Sequence, residues 1–107
     1  MFIRKLADQA RFSPEKMSKV DLARGETLFA GLNCFEPGQE HSLHSHAGQD
    51  KLYVVLEGEA EIRVGTEQQL TIAGGAAFAA SAVPHSIRNV GQGRLIVLTV
   101  LAPPPGK

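Results

Sequence analysis

Residues 59–65, EAEIRVG, alternate strictly, with Ala60, Ile62 and Val64 on one side and Glu59, Glu61 and Arg63 on the other. A period of two belongs to a strand with one face buried and one face in water. Most of the chain follows the same rule. TLFAGLNCF (27–35) is apolar and stops at the turn EPGQE (36–40), while KLYVVLEG (51–58) is rich in β-branched and aromatic residues. QQLTIAGG (68–75) reads as a strand closed by a glycine turn. AAFAASAVPHSIRNVG (76–91) is rich in small residues around Phe78 and then extended. RLIVLTVL (94–101) is an unbroken apolar run, which fits a strand buried on both sides or at a subunit contact. Turn signals of Gly, Pro and Asn recur at short intervals, and no strong helical pattern appears after residue 20. Residues 1–12 carry a weak helical spacing in Ile3, Leu6, Ala7 and Ala10, and Ser13-Pro14 can cap a turn. The predicted class is all-β, a sandwich or barrel.

Size and charge narrow the function. At 107 residues the chain suits one domain, and 43% hydrophobic with 21% charged residues suits a packed core. Eleven Lys and Arg balance eleven Asp and Glu for a formal net charge of zero, so no nucleic-acid partner and no membrane surface is expected. No apolar run nears the roughly 20 residues of a membrane span. The first residues, MFIRKLADQARF, lack the apolar stretch of a signal peptide. The single cysteine, Cys34, excludes an intrachain disulfide and reads as a small buried hydrophobe. The expected location is cytoplasmic.

All four histidines, 41, 44, 46 and 85, are candidates for chemistry. On a strand, residues two apart share a face, so His44 and His46 project side by side, about 7 Å apart at Cα, and can pinch a divalent ion. Equally, such a pair can face solvent. His85 follows Val83-Pro84, where a ligand from an opposing wall would come from and where a turn histidine would also stand.

The spacing of these residues resembles the cupin family. Its first motif, G-x5-H-x-H-(x3 or x4)-E-x6-G, is matched by Gly38, His44, His46 and Gly58. Its second, G-x5-P-x-G-x2-H-x3-N, is matched by Gly74, His85 and Asn89, with Ala80 and Ala82 where the family has Pro and Gly. Fifteen residues lie between Gly58 and Gly74. The resemblance implies an antiparallel cupin jelly-roll barrel over residues 25–101. Residues 1–24 form an N-terminal extension (a short helix or turn and an edge strand), and 102–107 a stiff, Pro-rich tail expected to be disordered. It also implies one divalent metal ion (Zn, Ni, Mn or Fe) held by His44, His46 and His85, and a homodimer with edge strands paired between subunits.

One position departs from the family pattern. Counting back from Gly58, the carboxylate ligand falls at Lys51, and a protonated lysine has no lone pair to give. Three readings stay open. A slipped ligand, Gln49 or else Asp50, replaces it through a bulge. Alternatively, a three-histidine site is completed by water, with Lys51 turned away or holding a substrate carboxylate. In the third, the metal site is vacated. The plain account of Lys51 is an exposed lysine at the start of a strand. His41 is off the face of the His44–His46 pair by parity and reads as a rim residue able to shuttle protons. Tyr53 packs in the wall or offers a phenolic hydrogen bond to the cavity. Glu61, Arg63 and Arg88 are candidates for a polar mouth, although alternation turns Glu61 and Arg63 outward. Phe29, Phe35 and Phe78 read as core.

The expected function is a small metal-binding cupin acting on or binding a small polar or anionic molecule, with dioxygenase- or isomerase-type chemistry open to it. Lys51, Tyr53 and His41 are the substrate-side candidates. The alternative is a non-catalytic sensor or binding module. The fold hosts many chemistries, so the family alone does not choose between them.

Overall fold

The computed structural model describes residues 1–106; residue 107, the last of the expected tail, lies outside the described residues. Nine strands account for most of it: β1 (Ser18–Arg24), β2 (Phe29–Phe35), β3 (Glu40–His44), β4 (Asp50–Glu57), β5 (Glu59–Val64), β6 (Glu67–Ile72), β7 (Ala76–Ala79), β8 (His85–Asn89) and β9 (Leu95–Ala102). They form two antiparallel sheets, one ordered β1-β2-β9-β4-β7 and the other β3-β8-β5-β6, an all-β jelly-roll-like arrangement as the family resemblance implies. No described helix is long and apolar enough to cross a membrane.

The alternating strand 59–65 behaves as its pattern requires. Ala60 and Ile62 are buried, whereas Glu59 and Arg63 point to water. They join Phe35, Tyr53, Val55 and Val97 in the core between the sheets. The unbroken apolar run becomes β9, central between β2 and β4, and it needs apolar side chains on both faces because Leu95 and Val97 enter the core between the sheets while Ile96 and Leu98 enter the cluster on the outer face.

The outer face of the larger sheet has its own small core, Leu32, Cys34 and Ile96, covered at one end by Ala7, Ala10 and Phe12. The helical spacing of the first twelve residues thus yields only a single 3-10 turn, Leu6–Gln9, because the segment is held by packing on the sheet rather than by a helix of its own. Arg94 fixes it: its guanidinium lies 4.3 Å from the centroid of the Phe12 ring and pairs with Glu36 at 3.2 Å. Phe78 departs from its expected place in the core. It is 57% exposed, because β7 is an edge strand and Phe78 faces outward beside Leu52, its cross-strand partner.

The family glycines act through the backbone. Gly58 has φ +93°, and a Cβ there would lie 2.5 Å from the Arg94 carbonyl oxygen, so no larger residue fits the β4–β5 turn. Ala82, at the family's second glycine position, nevertheless adopts φ +68° and carries the strain of a left-handed L residue. Asn89 is structural: its amide donates to the carbonyls of Phe35 (3.1 Å) and Gly93 (2.9 Å) and accepts from Gly91 N–H (3.0 Å).

Candidate functional site

The histidines meet because two strands of the smaller sheet run side by side. His44, the last residue of β3, lies opposite His85, the first of β8. His41 lies opposite Ile87, so three steps along β3 match two along β8. That extra residue is a β-bulge, and it reverses the parity between His41 and His44. His41 is therefore no outlying rim residue, as simple alternation implies: its ring centroid stands 4.1 Å from that of His44. His46 follows the strand rather than continuing it, and its carbonyl accepts a hydrogen bond from Ala82 N–H at 3.0 Å. The two loops that carry the histidines are tied together there.

Ring centroids of His44 and His85 are 4.2 Å apart, those of His44 and His46 5.3 Å, and those of His46 and His85 6.4 Å. Imidazoles sharing one ion stand on the order of 4.5–5 Å apart by centroid. The His44–His46 pair is close to that range, the His44–His85 pair is slightly tighter and the His46–His85 pair is too wide. Among the described residues, no three His, Cys, Asp or Glu side chains are already gathered as a metal-holding group. His85 is 3% exposed and faces inward from the sheet, which rules against a turn histidine at Pro84.

The ring nitrogens are differentiated. Nδ1 of His44 lies 2.6 Å from the Ser42 carbonyl oxygen, and Nδ1 of His85 lies 2.9 Å from that of Val83. A carbonyl only accepts, so Nδ1 carries the hydrogen and the Nε2 lone pair is left free. Both Nε2 atoms are buried without a partner, as are Nδ1 of His41 and the Tyr53 hydroxyl. Burial keeps these rings neutral. It pushes His41 down to about 3, with the charges of His44 and Lys51 adding to the effect. It pushes His44 down to about 4, against the opposing effect of its Ser42 hydrogen bond. His85 is lowered by the same burial. Tyr53, fully buried with its ring centroid 6.0 Å from that of His85, has its phenol raised by desolvation.

Lys51 is the largest surprise. It is not an exposed lysine at a strand start: it is 6% exposed on β4, with its ammonium 4.8 Å from the centroid of the Tyr53 ring. Among the described residues it has no carboxylate partner, the one ion pair there being Arg94 with Glu36. Burial, helped by Lys19, pushes its amine down to about 8. Of the two slipped-ligand candidates, Gln49 lines the cavity beside the histidines and Asp50 does not. The Gln49 amide donates to the Pro103 carbonyl at 3.0 Å. The exposed Asp50 carboxylate accepts from Ser81 N–H at 2.9 Å and so braces the loop after β7 instead of joining the histidines. The Glu61, Arg63 and Arg88 candidates lie on the smaller sheet, away from the cavity lining, and Arg63 donates to the carbonyl of Gly65 at 3.1 Å.

A cavity of about 670 Å³ opens in front of this cluster. His41, His44, His46 and Lys51 form its polar end; Phe29, Leu101 and the prolines 103–105 supply apolar surface, and Lys19, Asp21, Asn33, Gln49 and Thr99 add polar groups to the lining. Gly31 keeps it open, since a Cβ there would lie 2.8 Å from the Val20 carbonyl oxygen and 3.0 Å from the Phe29 ring. Sequence reasoning missed Lys19, Asn33 and the prolines. Asn33 was the visible signal, a polar residue inside an apolar strand run, and it pairs across strands with Lys19.

Two sheets closing over the buried His85 and half-buried His41 and His44, with the exposed His46 at the rim, define a double-stranded β-helix barrel with a site at one end. The sequence matches the cupin-domain family over residues 31–101, and the chain belongs to that family. It is similar to TT1209 of Thermus thermophilus, with 42% identity over 98% of this chain and 100% of that one and a TM-score of 0.93. An RmlC-like cupin protein from Desulfovibrio desulfuricans is 29% identical over 98% and 99% of the two chains, with a TM-score of 0.86. The Streptomyces coelicolor protein SCO3923 is 32% identical over 81 residues, 76% of this chain and 75% of that protein.

Proposed function

We propose that this cupin binds a small organic anion beside a divalent metal ion held by His44, His46 and His85. The observation that carries the reading is the pair of buried, unpartnered Nε2 atoms on His44 and His85, each fixed as a lone-pair donor by the carbonyl on its Nδ1. A backbone hydrogen bond of that kind is how a metal-ligating imidazole is oriented. A bound ion would supply Lewis acidity or, if redox-active, a site for oxygen chemistry. This chain's residues do the rest. Lys51 and Lys19 draw an anion inward, and Lys51 faces its charged group. Tyr53, with its raised phenol, stays protonated and holds the inner wall beside His85. The hydrolytic, isomerising or oxidative outcome follows from the ion and the substrate.

A second reading is favoured by one observation. The buried ammonium of Lys51 occupies the family's carboxylate position and repels a dication, which suits a metal-free anion-binding module. Elemental analysis separates the two. Protein purified without chelator, then loaded with Zn, Ni, Mn or Fe, is expected to retain one ion per chain, and His44→Ala to lose it. Absence of metal from the wild-type protein under every loading condition leaves the metal-free module.

A further inference from the structure

The tail 102–107, read from sequence as a disordered end, runs along the cavity as far as it is described. Pro103, Pro104, Pro105 and Gly106 all line the space that holds Lys51 and the histidines. It is latched at two points, the Gln49 amide on the Pro103 carbonyl at 3.0 Å and the Arg24 guanidinium on the Pro105 carbonyl at 2.9 Å. Arg24 also lies 5.7 Å from the centroid of the Phe29 ring, so one side chain fixes both the strap and the aromatic wall.

We propose that this proline strap is the specificity wall of the pocket and that the ligand is a carboxylate with a flat apolar body, an arylcarboxylate, bound with its charged end at Lys51. The inference rests on the anion-binding reading above and adds the body of the ligand to it. The chemistry of the two ends is opposite. At the inner end a buried cation without a carboxylate partner faces the cavity beside neutral imidazoles. At the outer end, the strap's prolines have no N–H to donate, and the carbonyls of Pro103 and Pro105 are spent on the latches. What the strap presents is pyrrolidine ring surface, facing a cavity that the Phe29 ring and Leu101 also line. Against the proline rings, Phe29 and Leu101, a polar ligand body would lose its hydrogen bonds to water and regain none from those surfaces. A ring-sized apolar body fits a cavity of about 670 Å³, within the usual range for small-molecule sites.

Calorimetric titration of the full-length protein with benzoate and with acetate tests this, because the two probes share the carboxylate and differ in the body. Wild type is expected to prefer benzoate by about tenfold or more, the scale of burying one ring. Removing both latches (Arg24→Ala with Gln49→Ala) should bring that preference towards parity and leave acetate affinity within about twofold. Pro104→Asn, which keeps the latches and makes the wall polar, should lower benzoate affinity alone, and thermal melts report whether each variant is folded. Lys51→Met should weaken both probes together. If wild type binds both anions but the folded strap variants retain the full benzoate preference, the strap assignment is wrong and the anion site stands. If wild type binds neither, the anion reading fails and the strap proposal with it.

Discussion

A buried cation without a partner should destabilise the fold, and Lys51 allows that to be measured. Its amine falls from 10.5 to about 8 on folding, chiefly through burial. With each tenfold change in proton affinity equal to about 1.4 kcal/mol, keeping it charged at neutral pH costs about 3–4 kcal/mol. The Tyr53 ring beneath the ammonium returns about 1 kcal/mol of cation–π attraction. Lys51→Met keeps the apolar stem and its packing on Tyr53 while deleting the charge. It should therefore raise unfolding free energy at pH 7 by about 2–3 kcal/mol, or on the order of 10 °C in Tm for a chain of this length. The sign of the pH dependence follows from the folded pKa lying below the unfolded one. The penalty is complete below about 8, shrinks as pH rises and is gone above 10.5, where the amine is neutral in both states. Urea titrations of both proteins at pH 7 and at pH 10.5 provide the assay. A variant less stable than wild type at pH 7, or a gain that persists undiminished at pH 10.5, refutes the reasoning, because either result means that Lys51 is compensated or is not buried. A gain in stability with a loss of anion affinity would show why the lysine is kept.

Two further outcomes follow from the same geometry. Ala82→Gly should raise stability by about 1 kcal/mol, since φ +68° strains an alanine and not a glycine, and the gain is read from the urea midpoint at unchanged m-value. In metal-free protein, His41 and His44 are neutral when folded and protonate readily when unfolded. Their contribution to stability is thus complete above about 6.5 and lost as pH falls towards 4, and a Tm series over that window should decline less steeply in His41→Gln.

The residues made the barrel legible because burial on one face of a strand leaves a mark at every second position. Ala60, Ile62 and Val64 show it, and the apolar run of β9 shows its two-sided form. The glycines at 58 and 74 and the histidines at 44, 46 and 85 align with a family on spacing alone. Parity fails at His41, because a bulge adds one residue to β3 without any sequence sign and turns that ring into the cluster. The apolar spacing of the first twelve residues suggests a helix but serves a sheet surface instead.

Local pattern therefore determined that this chain forms strands, which faces they bury and which residue types are available for chemistry. Only the tertiary structure decided that Lys51 is desolvated, that Lys19 and Asn33 share its cavity, and that the prolines after β9 close over it. The physical reason is range. Alternation is a property of neighbours along the chain, whereas desolvation depends on what distant strands place around a side chain, and a latch such as Arg24 on Pro105 joins residues that sequence leaves far apart.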